Sequence, residues 1–382
     1  MILKRLALGA LGLALSCALG ASRAQALPLF SRDGGQPCSR CHLDSPQLNP
    51  EGIRFMQDGY RDSETVAMLS SHTFPVSVAA RLGVRAERIE SSTSAGLHAS
   101  PTRSTLDDGV ELQSAGAITR QLSYHFNLDG GPSGDGPRAT RADLQIGDLV
   151  SRRRLNARLG SFDAELPFLS EQRCPTLHPY LAPVGLWARG LELNGGLSDW
   201  HYAAGLIHSN QSETGLDPDA GAIHSFEDTY WMVGRNAGAV NFGARMLFDR
   251  QDSTLPTLTW MQHLQLLVGG ALIEPHGSIA PAYVFDRFDD RPAAGIHDRH
   301  QYYVLAGTLL PGDGRWVFNA RAEHEYRTQT VWTPEEDHQL LVLNVERVLN
   351  PLARVALEGS LSGDNVGGPR SRGLTAYVGL QY

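Results

Sequence analysis

From Val76 to Tyr382 the chain repeats with a period of two. Leu122, Tyr124, Phe126 and Leu128 alternate with Ser123, His125 and Asn127. Leu341, Leu343 and Val345 alternate with Val342, Asn344 and Glu346, and Leu352, Val355 and Leu357 lie in another such run. Successive side chains of a strand point to opposite faces, so this pattern predicts strands with one apolar face. The mature chain has no run of eighteen apolar residues, so no helix is expected to cross a membrane.

The final run, Leu374, Ala376, Val378, Leu380 and Tyr382, is apolar at every second position and ends on an aromatic. That ending resembles the C-terminal signal by which outer-membrane β-barrels are recognised for insertion. Tracing back from it tests the barrel. Long connections fall near residues 363–369, 328–338, 286–300, 249–262, 208–226, 162–184, 129–139 and 90–107. Between them lie short turns near 349–351, 311–314, 274–277, 235–238, 195–199, 148–151 and 117–121. Long connections outside and short turns inside are the asymmetry of bacterial barrels, and the tally predicts about sixteen antiparallel strands over residues 73–382. A soluble array of β-sandwiches is the competing fold, and it explains neither the terminal Tyr nor the loop asymmetry.

The start of the chain sets the compartment. Lys4 and Arg5 precede an apolar run from Leu6 to Leu19, and Ala24-Gln25-Ala26 offers small residues for cleavage, so residues 1–26 are expected to be a secretory signal peptide. Cys17 fits a lipoprotein site poorly. Losing Lys4, Arg5 and Arg23 takes the net charge from −8 to −11 and removes the only lysine. The mature chain is therefore acidic with Arg as its fixed cation, which argues against a nucleic-acid partner.

Cys38 and Cys41 stand in Cys38-Ser39-Arg40-Cys41-His42, while Cys174 is left without a cysteine to pair with. In an exported chain, C-x-x-C-H is the attachment site of c-type haem: two thiols form thioethers to the vinyl groups and the adjacent His reaches the iron. A half zinc site would need a second Cys pair, and a redox dithiol would need a βαβ setting. One covalent haem c is thus expected, with His42 as proximal ligand. For the distal position Met68 and His72 rank ahead of Met56, and a barrel His such as His125 or His201 is a further option. Residues 27–72 form a segment close to the lower limit at which a domain buries enough surface to stand alone, so it should lean on the barrel, in its lumen.

The stretch from Cys38 to His42, then Pro46-Gln47-Leu48-Asn49, Gly52, Phe55 and Gly59-Tyr60, followed directly by a barrel, resembles the fused monohaem cytochrome-porins of Gram-negative outer membranes, a group that includes Fe(II) oxidases. The specific match covers residues 28–61, and Arg158 to Phe168 agrees in phrase. The resemblance implies electron transfer between the cell exterior and periplasmic carriers such as a c-type cytochrome, with extracellular Fe(II) as the most specific donor. The alternatives are a diffusion porin with a structural or sensory haem plug, and outward electron transfer to external acceptors.

Three polar clusters suggest further chemistry. Asp286, Asp289, Asp290, His297, Asp298 and His300 fall in one expected outer connection, and oxygen ligands with imidazole suit Fe(II); Asp289, Asp290, His297 and His300 are the expected access point. Glu335, Glu336, Asp337 and His338 repeat the pattern in the next connection. Arg152, Arg153 and Arg154 would either meet haem propionates or mark a turn at the membrane boundary.

Overall fold

The computed structural model describes the chain from Cys38, apart from residues 45–46, 62–75, 94–95, 100–101, 131–137, 171–173, 175, 210–227, 252–260, 291–296, 313–314, 329–335, 351–352, 365–369 and 382. The expected signal peptide, Met68 and His72 lie outside the described residues.

Two short strands, His42–Asp44 (β1) and Gln47–Leu48 (β2), and one helix, Pro50–Gln57 (α1), come first. The barrel follows as Ser77–Thr93 (β3), Gly96–Ala99 (β4), Arg103–Ala117 (β5), Leu122–Gly130 (β6), Arg138–Ile146 (β7), Asn156–Asp163 (β8), Trp187–Leu197 (β9) and Trp200–Ser209 (β10). It continues as Asp228–Ala237 (β11), Val240–Gln251 (β12), Met261–Glu274 (β13), Gly277–Asp290 (β14), His297–Leu309 (β15), Trp316–Arg327 (β16), Glu336–Asn350 (β17), Ala353–Asp364 (β18) and Arg370–Gln381 (β19). Neighbours pair antiparallel throughout, and β19 closes on β3 with Leu380 opposite Ala80. The short β4 only extends the outer end of β3, so sixteen strands form the wall.

The alternation read from the sequence sorts the two faces. Leu341, Leu343, Leu357, Leu374 and Leu380 are exposed on the outer surface, whereas Val342, Asn344, Glu346 and Glu358 are buried inside. Aromatic pairs mark both edges of the apolar band: Trp200 against Phe242 at the short-turn end, and Trp231 against Phe248 at the other. Such girdles sit at the two membrane interfaces, with short turns in the periplasm. The chain is a sixteen-stranded outer-membrane β-barrel.

Each expected turn falls at a junction of consecutive strands, within a few residues, including the one at 118–121. The outer connections differ more: most of 90–107 is taken up by β3, β4 and β5. Strands β14 and β15 run on to Asp290 and back from His297, so the acidic cluster expected in a loop lies mostly on paired strands, with Asp286 opposite His300 and Asp289 opposite His297. Likewise Glu336, Asp337 and His338 belong to β17, while Glu335 is outside the described residues. The cause is backbone pairing: a hairpin continues above the membrane as long as its ladder does, whatever its side chains.

Candidate functional site

The connection between β8 and β9, residues 164–186, folds into the lumen. Leu166, Leu169, Ala182 and Val184 pack there on the inward residues Leu267, Val284, Tyr302 and Val304. Irregular backbone at membrane depth must have its polar groups satisfied, and charged side chains of the wall do this. Arg245 donates to the carbonyls of Ala164 (2.9 Å) and Val184 (3.0 Å). Arg321 donates to the carbonyls of His178 (2.6 Å) and Pro179 (2.7 Å), and also to Cys174 Sγ (2.9 Å). Glu323 accepts from the amides of Leu181 and Ala182, and Glu358 from those of Leu177 and His178. Cys174 is thus a half-buried thiol of this loop.

The N-terminal segment occupies the periplasmic end of the same lumen. Ile53 of α1 is fully buried against Ala271, Ile273 and Ala280 of the wall, with Leu43, Leu48 and Phe168 around it. Arg61 donates to Asp148 (3.3 Å) and Asn156 (3.1 Å), and Arg153 pairs with Asp58 at 2.6 Å. Arg152, Arg153 and Arg154 therefore form an exposed periplasmic turn, one member of which holds the plug. Burial raises the Asp58 carboxyl above its ordinary value, and Arg153 and Arg61 oppose that shift.

Within the segment, Asn49 ties the Cys38–His42 turn to the helix. Its Oδ1 accepts from the amides of Glu51 and Gly52, capping α1 ahead of Pro50. Its Nδ2 donates to the carbonyls of Ser39 (3.0 Å) and Arg40 (2.9 Å), and its own amide donates to the Cys41 carbonyl (3.0 Å). Gly52 is needed where helix and turn meet, because a Cβ there would lie 2.0 Å from the Cys41 carbonyl oxygen. His42 Nδ1 lies 3.2 Å from the Gln47 carbonyl oxygen. A carbonyl can only accept, so Nδ1 carries the proton and Nε2 the lone pair, the arrangement in which an imidazole binds metal.

These features fit a c-type haem. One further residue fits as well: His201 points into the lumen from β10, is buried, and has no hydrogen-bond partner at either ring nitrogen among the described residues. Its cross-strand partner is Gly234, two residues from Asn236, to whose side chain Gln57 of α1 is hydrogen-bonded. Met56 is half-buried on α1. His125 instead meets Tyr60 of the plug, ring against ring and through its Nδ1.

The outer acidic cluster divides. Asp286 is buried inside the barrel and bonded to His263 Nε2 (3.1 Å), whose Nδ1 bonds Asp249 (2.9 Å). His300 lies beside Tyr302 and Glu325. Asp286 and His300 are thus engaged with the wall and do not stand in a loop. The side chains of Asp289, Asp290, His297 and Asp298 lie outside the described residues, and among those described no three His, Cys, Asp or Glu are grouped to hold a metal ion.

Sequence reasoning missed Asn49 as the clasp and Arg245, Arg321, Glu323 and Glu358 as the loop's grips. Asn immediately before Pro-Glu was a legible cap signal, but its second set of bonds was not. By sequence, no protein-family model and no curated protein matches the chain. In fold it is similar to an anion-selective porin from Comamonas acidovorans (TM-score 0.57, 11% identity, covering 81% of this chain and 100% of that one). It is also similar to the outer membrane channel DcaP of Acinetobacter baumannii (TM-score 0.57, 12% identity, 81% and 98%) and to a loop-deleted OmpT of Vibrio cholerae (TM-score 0.54, 14% identity, 80% and 99%). The barrel around the candidate site is thus similar in fold to outer-membrane porins and channels.

Proposed function

We propose that this barrel is a cytochrome-porin that carries one haem c on Cys38 and Cys41, with His42 as proximal ligand, and moves electrons between the cell exterior and a periplasmic c-type cytochrome or similar carrier. The observation that supports it most is the clasped C-x-x-C-H turn seated in the periplasmic end of the lumen, with the His42 lone pair directed to Nε2. When bound, haem supplies a one-electron iron couple whose potential depends on its axial ligands. The chain's own residues hold that group: Asn49 fixes the turn, Gln47 orients His42, and Ile53 and Arg61 hold the segment on the wall. In this reading His201 would be the barrel residue best suited to hold the group alongside His42, because a buried imidazole without a partner is costly unless a metal or a donor meets it.

Extracellular Fe(II) is the donor in the most specific form of the proposal. A mature chain at −11 attracts a small hydrated cation and raises its concentration at the outer mouth. In intact cells or oriented vesicles, external Fe(II) is expected to reduce the haem. Haem that stays oxidised under excess Fe(II) at neutral pH, yet is reduced by dithionite, would exclude Fe(II) as donor. Changing Asp289, Asp290, His297 and His300 to Asn, Asn, Gln and Gln should slow reduction and leave the spectrum unchanged. His201→Gln should change the low-spin spectrum and the measured potential. Solute passage is the second reading, favoured by similarity to porins and channels; vesicles that leak solute but show no Fe(II)-dependent haem reduction would support it.

A further inference from the structure

Phe168 is a side chain that the luminal loop and the plug share. Leu166-Pro167-Phe168-Leu169 is a tight turn, closed by the Leu169 amide donating to the Leu166 carbonyl at 2.9 Å. Pro167 presets the backbone at the second position of the turn, and Leu166 and Leu169 on either side are buried in the loop's own apolar cluster. The turn therefore presents Phe168 at its tip with little freedom. The Phe168 side chain packs on two apolar clusters of the lumen, the loop's and the one around Ile53 of the plug.

The wall accommodates that contact. Inward positions of β13 run Leu267, Gly269, Ala271 and Ile273 toward the periplasm, with Val284, Ala282 and Ala280 of β14 beside them. Leu267 and Val284 belong to the loop's cluster, and Ala271, Ile273 and Ala280 to the plug's. Gly269 stands between the two, and a Cβ there would lie 3.4 Å from Phe168 Cε2. On β13 a strip without a polar side chain thus continues from loop to plug. Leu43, Gln47 and Leu48 of the β1–β2 hairpin face Phe168, Leu169 and Tyr180 of the loop across a cavity of about 40 Å³, which admits no more than a few waters.

We infer that the plug is the latch of the loop. While the β1–β2 hairpin and α1 sit in the lumen they support the turn at 166–169 through Phe168; drawing the plug toward the periplasm removes that support, and the turn moves and widens the lumen. Charged side chains of the wall grip the loop at Ala164 and from Leu177 to Val184, whereas apolar contact holds the turn at 166–169. Removing one side of an apolar contact leaves the other without partner atoms, so the turn loses what held it. Such coupling is reciprocal: loosening the turn loosens the plug by the same free energy. The latch belongs to the polypeptide alone and does not depend on whether haem is bound.

The test uses the full barrel, in planar bilayers for single-channel conductance and in nanodiscs for protease cleavage of the plug, with the folded state checked by heat-modifiable mobility. Leu48→Ala, a change confined to the plug, should raise conductance. Phe168→Ala, a change confined to the loop, should speed cleavage of the plug at least about fivefold. In each readout the double variant should fall short of the product of the two single effects, because both remove one contact. Phe168→Leu keeps apolar bulk at the tip and should stay near the parent in both readouts. Parental conductance in Leu48→Ala, parental cleavage in Phe168→Ala, or single effects that multiply in full in the double variant would overturn the proposal. Should Phe168→Ala not insert, Leu48→Ala decides alone by its conductance.

Discussion

Residues 164–186 and the segment from Cys38 to Arg61 both lie inside the barrel, and the wall holds them differently. The loop has little structure of its own; Arg245, Arg321, Glu323 and Glu358 bond its backbone directly. The N-terminal segment makes its own local structure, knotted by Asn49, and takes from the wall an apolar seat for Ile53 and ion pairs at the rim. The comparison separates two tasks. The loop's shape belongs to the barrel, whereas the geometry of the Cys38–His42 turn is encoded within about twenty residues and the barrel supplies only its seat.

Removing an attachment thiol is the largest way to sharpen this difference. Cys38→Ala or Cys41→Ala should abolish stable covalent haem staining while the barrel still inserts and keeps its heat-modifiable mobility. Unchanged staining would refute the assignment. Next comes the opposite lesion. Arg321→Ala removes a buried cation that bonds two loop carbonyls and Cys174 and forms an ion pair with Glu323, and breaking such a buried pair costs about 3–5 kcal/mol. Thermal unfolding should register that loss, single-channel conductance should rise as the loop loosens, and haem attachment should be unaffected.

A smaller effect is expected at the clasp. Asn49→Ala removes an N-cap, worth about 1 kcal/mol, together with the ties to Ser39 and Arg40. Its signature is protease sensitivity of the plug and a broadened haem spectrum with an unchanged barrel midpoint. If the barrel midpoint falls instead, the segment is less independent than its hydrogen bonds indicate.

The smallest effect is in pH. Burial, with Arg321 adding to it, holds the His178 imidazole below its ordinary value. The folded state then binds fewer protons than the unfolded one, so this contribution is complete above about pH 6.5 and declines as pH falls through the lowered value. His178→Gln should flatten the slope of unfolding midpoint against pH between about 7 and 5. A slope that persists would move the titration elsewhere.

Strand number, turn positions and inward and outward faces were legible because each follows from local properties: a two-residue period and turn residues. The proposed attachment turn is a local feature too, since Cys38, Cys41 and His42 are neighbours in the chain. Tertiary structure alone decided the rest. Residues 164–186 look like any outer connection until Arg245 and Arg321, some 80 and 150 residues downstream, draw them inside. Asp286 looks like a loop ligand until the β13–β14 ladder carries it into the wall beside His263. Arg88 and Arg372 lie far apart in sequence and meet only because β19 closes on β3. Periodicity specifies which face a residue occupies, but only closure of the sheet specifies what stands opposite it.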